Sequence, residues 1–197
     1  MADARSALDR LCDPSAEVSA HYLVEEDGVV WRLVPEDRRA WHAGVSSWAG
    51  EADVNSLSIG IELVNPGHGA AYRRFALPQM IALERLCHDI LARHPIPAWR
   101  ILGHSDVAPG RKRDPGELFD WKWLADRGVG LWPDPQADDA KVSIDIARWM
   151  RRFGYPDGST DSVAAFQRHF RPRSVTGVAD DETRARLVAL VKAAALA

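Results

Sequence analysis

Near residue 132 the chain changes its periodicity, and that change limits the folds it can adopt. Upstream, short apolar runs of strand length alternate with amphipathic helical stretches, a pattern that argues for an α/β sheet. Downstream, only helical spacing is found. Between the two, Trp132-Pro133-Asp134-Pro135 followed by Asp138-Asp139 carries the punctuation of a linker. The expected division is a sheet-based domain at residues 1–133, a linker at 134–140 and a small all-α domain of three helices at 141–197. The last has a core of marginal size.

Within the first domain, helices are expected at Ser6 to Leu11, Leu77 to His94 and Phe119 to Arg127. Strands are expected at His21 to Val24, Val29 to Val34, Leu57 to Val64 and Trp99 to Leu102. Asp27-Gly28 between the first two strands is a hairpin signal, because the tight turn needs positive backbone angles. In the second domain the apolar spacing places helices at Ile144 to Phe153, Thr160 to Phe170 and Asp181 to Ala194.

Composition narrows the function classes. A net charge of −3 gives no basic footprint for nucleic acid. No stretch reaches the roughly 20 apolar residues of a membrane span. Met1-Ala2-Asp3-Ala4-Arg5 leads into an amphipathic segment and does not form a signal peptide. Cys12 and Cys87 stand too far apart for a zinc ribbon or a disulfide framework, and are expected as small buried apolar residues. Eight tryptophans lean towards a carbohydrate-containing ligand, since indole faces stack on sugars.

The densest chemistry lies in Gly103-His104-Ser105-Asp106-Val107-Ala108-Pro109-Gly110-Arg111-Lys112-Arg113-Asp114-Pro115-Gly116. His104 follows an expected strand, and Asp114 lies ten residues on, across a loop stiffened by proline. Imidazole and carboxylate both suit zinc, whose catalytic sites keep three protein ligands and one open position. Lys112, two residues before Asp114, could stabilise an oxyanion. On spacing alone, a solvated turn with scattered charges fits this loop as well. Glu62, inside Ile59-Gly60-Ile61-Glu62-Leu63-Val64, is costly in a buried strand unless paired with a cation or used as a base. His42, in the loop Trp41-His42-Ala43-Gly44, suits a substrate contact or a hydrogen-bonded turn histidine. His21 fits a core histidine, and His68, His88, His94 and His169 are expected at the surface or in loops.

Four stretches in this order resemble the zinc amidase family that includes N-acetylmuramoyl-L-alanine amidases, phage T7-type lysozyme and peptidoglycan-recognition proteins. They are Val18 to Val24, Trp41 to Gly44, Asn55 to Asn65, and Gly103 to Gly116, together spanning roughly residues 7–133. The resemblance implies a mixed sheet flanked by helices and Zn2+ as cofactor, with His104 and Asp114 as zinc ligands. It also implies Glu62 as general base, Lys112 as oxyanion stabiliser, and Trp41 and His42 as pocket residues. The implied reaction cuts the amide between the lactyl group of N-acetylmuramic acid and L-alanine of the stem peptide. The implied partners are peptidoglycan or muropeptides, met as a monomer. Val163 to Phe170 followed by Thr176-Gly177-Val178-Ala179-Asp180 resembles a three-helix peptidoglycan-binding domain. That domain implies the cell envelope or periplasm, with a cytoplasmic role in wall recycling as the alternative.

The family takes a third zinc ligand, a histidine, from an early strand before the helix that here is expected at Ser6 to Leu11. The sequence contains no such segment. The expectation is a start upstream of Met1 by about 20–30 residues, one strand plus an N-terminal segment. A shortened form, a degenerate wall-binding protein without catalysis, and a substitute ligand from His21 or His42 are the alternatives. The chain as written is expected to bind zinc weakly and to hydrolyse little.

Overall fold

The computed structural model describes residues 3–69 and 71–195. Met1 and Ala2, the lead-in to the first helix, lie outside the described residues. The chain forms two compact units, Met1–Ser46 with Asp53–His94, and Ser47–Ala52 with Pro95–Ala197.

The first unit is built on a mixed sheet. Helix α1 (Ala4–Cys12) opens on Asp3, whose carboxylate accepts the Ser6 N–H at 2.9 Å. It buries Ala7 and Leu11 against Ala20, Leu23 and Val64. Strands β1 (Tyr22–Val24), β2 (Val30–Arg32) and β3 (Ile61–Leu63) lie in the order β2-β1-β3. The β1–β2 pair is antiparallel and β1–β3 is parallel, with Leu23 opposite Glu62. The hairpin turns at Gly28, which takes φ +93°, as Asp27-Gly28 requires. Helix α2 (Leu77–Arg93) opens with Pro78 in its first turn. From it the fully buried Gln79 donates to the carbonyls of Val24 and Val64, at 3.0 and 2.9 Å. One amide thus closes the ends of two neighbouring strands.

The second unit carries helices α3 (His104–Val107), α4 (Trp121–Ala125), α5 (Ile146–Phe153), α6 (Thr160–Phe170) and α7 (Asp181–Ala193). Asp145, Ser159 and Asp180 cap the last three. Their apolar faces bury Met150, Phe153, Phe166, Leu187 and Leu190 completely. Gln167, also fully buried, accepts the N–H groups of Thr176 and Gly177 at 2.8 Å and donates to the Val178 carbonyl at 2.9 Å. The loop between α6 and α7 is therefore tied to α6 by one side chain.

Three expectations change. Trp99 to Leu102 is not a strand: after Pro97 the chain closes a 3-10 turn, with the Arg100 N–H on the Pro97 carbonyl, and Trp99 packs against Trp48. The strand expected at Leu57 to Val64 shortens to Ile61–Leu63, because a 3-10 turn at Val54–Ser56 leads into it and Leu57 is exposed. Cys12 is exposed at the end of α1, whereas Cys87 is buried in α2, and burial pushes its thiol up to about 12.

Candidate active site

The loop from Gly103 to Gly116 folds back on itself. Gly103 caps α3, and the Ala108 N–H closes its single turn on the His104 carbonyl. Gly110 reverses the chain at φ +75°. The Ser105 N–H then donates to the Asp114 carbonyl at 2.9 Å, which returns Asp114 to the start of the helix. His104 Nδ1 and Asp114 Oδ2 consequently meet at 3.0 Å. His104 is thus the first residue of a helix; it was expected at the end of a strand. The Trp99 segment turns instead of extending, and the pairing survives because the loop, not a strand, sets it.

Two ligands of a tetrahedral zinc ion, each near 2.0–2.1 Å from the metal, stand roughly 3.4 Å apart. The His104–Asp114 separation and donor chemistry fit two of the three protein positions that catalytic zinc keeps. Among the described residues, no group of three His, Cys, Asp or Glu side chains is placed to hold a metal. Burial raises the Asp114 carboxyl, but the hydrogen bond and charge of His104, with the charge of Lys112, outweigh it and hold the group below its usual range. The Lys112 charge thus favours the ionised form of Asp114. Arg111 Nη2 stands 3.4 Å from His104 Nε2.

Sequence reasoning missed what lies behind this pair. Asp106 is completely buried. Its carboxylate accepts the Gly103 N–H at 2.7 Å, the Tyr155 hydroxyl at 2.5 Å and His169 Nδ1 at 2.7 Å. His169, expected at the surface, is buried between Trp121 and Phe170, with ring centroids 3.8 Å from each. Burial, then the Asp106 charge and hydrogen bond, lifts the Tyr155 phenol well above its ordinary range, so it remains a donor. The signal available in the sequence was an acid two residues after His104, but its partners are 49 and 63 residues away.

In the first unit, Glu62 is half-buried on β3, not fully buried as expected, and points to the face opposite Ile61 and Leu63. The His42 ring lies against Gly60, where a Cβ would come within 2.2 Å of its Cγ. The Asn55 side chain accepts the N–H groups of His42 and Ala43, at 3.0 and 2.8 Å, and sets that loop. Trp41 is 48% exposed and borders an open groove with Leu11, Cys12, Val18 and Arg39. His21 is a core residue, as expected: its Nδ1 accepts the Gly60 N–H at 2.9 Å and its Nε2 donates to the Arg38 carbonyl at 3.0 Å. Both nitrogens are committed to backbone, so a metal could take this ring only by breaking one of those bonds. His104, Lys112 and Asp114 thus belong to one unit, and Trp41, His42 and Glu62 to the other.

The sequence profile described as N-acetylmuramoyl-L-alanine amidase matches residues 1–117. The N-acetylmuramoyl-L-alanine amidase AmiD of Escherichia coli is 40% identical over 96% of this chain and 79% of its own length. The 1,6-anhydro-N-acetylmuramyl-L-alanine amidase AmpD of Citrobacter freundii is 43% identical over 53% of this chain and 54% of its own. Among solved structures, the E. coli AmiD complex with anhydro-N-acetylmuramic acid-L-Ala-D-gamma-Glu-L-Lys superposes with a TM-score of 0.85 at 38% identity, covering 97% of this chain and 85% of that one. AmpDh3 of Pseudomonas aeruginosa, in complex with anhydromuramic pentapeptide, gives 0.88 at 32% identity, covering 97% and 88%. With the family's profile spanning more than half of it and a curated amidase aligned along nearly all of it, the chain belongs to the N-acetylmuramoyl-L-alanine amidase family.

Proposed function

We propose that the protein uses zinc to hydrolyse the amide joining the lactyl group of N-acetylmuramic acid to L-alanine of the stem peptide, in peptidoglycan or its anhydro-muramyl fragments. The observation that carries this is the 3.0 Å pairing of His104 Nδ1 with Asp114 Oδ2. The substrate named for the AmiD complex and the anhydromuramic pentapeptide in the AmpDh3 complex support the choice of bond and of fragment.

His104 and Asp114 would hold zinc, which would supply a Lewis acid there and lower the pKa of water. Glu62 takes a proton from the attacking water as its oxygen bonds to the lactyl carbonyl carbon. The Lys112 ammonium offsets the negative charge that grows on the carbonyl oxygen. The carbon–nitrogen bond then breaks, and the proton held by Glu62 passes to the alanine nitrogen. The products are a lactyl carboxylate and a peptide with a free amino terminus. Trp41 and His42 contact the substrate; the exposed indole suits an apolar sugar or peptide face. Residues 141–197 serve as a peptidoglycan-binding domain that raises the local substrate concentration and keeps the enzyme in the cell envelope.

The test compares the zinc-supplemented protein with Glu62→Gln on an anhydro-muramyl tripeptide, with peptide release followed by mass spectrometry. The expected loss is about 10²–10⁴-fold in kcat, the usual contribution of a general base. Equal rates would remove Glu62 from the mechanism. No release by either protein, with binding to sacculi retained, would make this chain a wall-binding module without catalysis.

A further inference from the structure

We propose that the C-terminal helices position the metal-donor loop: Tyr155 and His169 fix the Asp106 carboxylate that opens helix α3 at His104. This rests on the reading of His104 as a zinc ligand, and gives residues beyond the linker a role in addition to wall binding.

A fully buried carboxylate is costly to desolvate, and persists only where donors replace water. Asp106 has three such donors. One, the Gly103 N–H, belongs to the residue directly before His104. The other two come from the far side of the linker, the Tyr155 hydroxyl after α5 and His169 Nδ1 on α6. Neither ring can drift. Tyr155 is 1% exposed and packs edge-on against Trp48, 5.0 Å between centroids, while His169 stacks on Trp121.

Trp121 also closes the same corner from behind. A Cβ on Gly103 would lie 3.1 Å from the Trp121 ring and 2.7 Å from Pro115 Cδ. Gly103 precedes His104 and Pro115 follows Asp114, so both donors are flanked by residues in one tight contact. The Ser105 N–H on the Asp114 carbonyl completes it. Tyr155 and His169 act through Asp106, and are positioning residues.

The experiment uses the full chain with Tyr155→Phe, His169→Leu and His169→Asn. Asparagine places an amide N–H near the position of Nδ1, so it is the conservative rescue. Two readouts are taken: amide hydrogen exchange at residues 103–107 without metal, and zinc affinity by competition with a chromophoric chelator. Tyr155→Phe and His169→Leu are expected to lower protection at 103–107 and to weaken zinc by about 10-fold, the range for loss of an outer-shell partner. His169→Asn restores both, and protection in α7 stays unchanged in every variant. If His169→Leu fails to fold, Tyr155→Phe, which keeps its ring, decides alone. Unchanged protection at 103–107 in a folded Tyr155→Phe would overturn the proposal. So would loosened exchange with unchanged zinc affinity. Failure of the zinc reading is distinguishable, because His104→Ala would then leave zinc affinity unchanged while exchange at 103–107 still responded to Tyr155→Phe.

Discussion

Two histidines, His21 and His104, follow opposite structural logic, one in each unit. His21 sits behind β1 with both ring nitrogens hydrogen-bonded to backbone, to the Gly60 N–H and the Arg38 carbonyl. Such a ring joins chain segments, and a metal could take it only by breaking one of those bonds. His104 instead meets another side chain, the Asp114 carboxylate, and its backbone carbonyl closes a single helical turn. A side-chain pair can exchange its shared proton for a metal ion without disturbing the chain, since metal binding displaces ligand protons. The two rings thus differ in where their partners come from: His21 is held by backbone groups and His104 meets a side-chain carboxylate.

The comparison breaks hardest at Asp114. Asp114→Asn keeps the shape but loses the charge, and is expected to lower zinc affinity by more than about 100-fold, since outer-shell partners alone contribute 10–100-fold. Chelator competition on the folded variant measures it. The opposite pattern is expected at His21. His21→Ala leaves a cavity and two unpaired backbone groups, a loss of about 2–4 kcal/mol in urea unfolding, with zinc affinity retained.

Gly60→Ala tests the packing beside it. The new methyl would meet the His42 ring at 2.2 Å, so a loss of about 1–3 kcal/mol is expected from overpacking. Differential scanning calorimetry measures it, and an unchanged melting temperature would mean that the His42 ring moves aside freely.

The smallest effect is expected at Glu36. Its carboxyl is held far below the usual range, first by the Arg93 hydrogen bond against the cost of burial, and further by Tyr22 and His94. The folded state thus binds this proton less readily than the unfolded chain. The resulting stability is complete above the unfolded pKa of roughly 4.3 and is lost as pH falls below it towards the folded value. Glu36→Gln should cost about 1–2 kcal/mol at pH 7 and flatten the decline in stability between pH 5 and pH 3. Parallel pH profiles for the two proteins would contradict this.

Much of this was legible in the sequence because it is local. The helices at Thr160–Phe170 and Leu77–Arg93 follow from apolar spacing and their first-turn residues, and the hairpin follows from Asp27-Gly28. The His104–Asp114 pair was legible as motif, and the structure adds the loop that joins them. Trp99 was misplaced because an apolar run with flanking prolines has the composition of a strand, while the turn after Pro97 is decided by packing on Trp48. His169 was hidden for a related reason. Its partner Asp106 lies 63 residues earlier, and no periodicity within α6 reports a contact at that range.

The central claim is tested most directly by zinc dissociation constants, measured by chelator competition at pH 7 for the unaltered protein, His104→Ala and His21→Asn. The prediction is that His104→Ala weakens zinc by more than about 100-fold while His21→Asn, if folded, leaves it unchanged. Equal zinc affinity in the unaltered protein and His104→Ala, or loss of zinc in a folded His21→Asn, would contradict it.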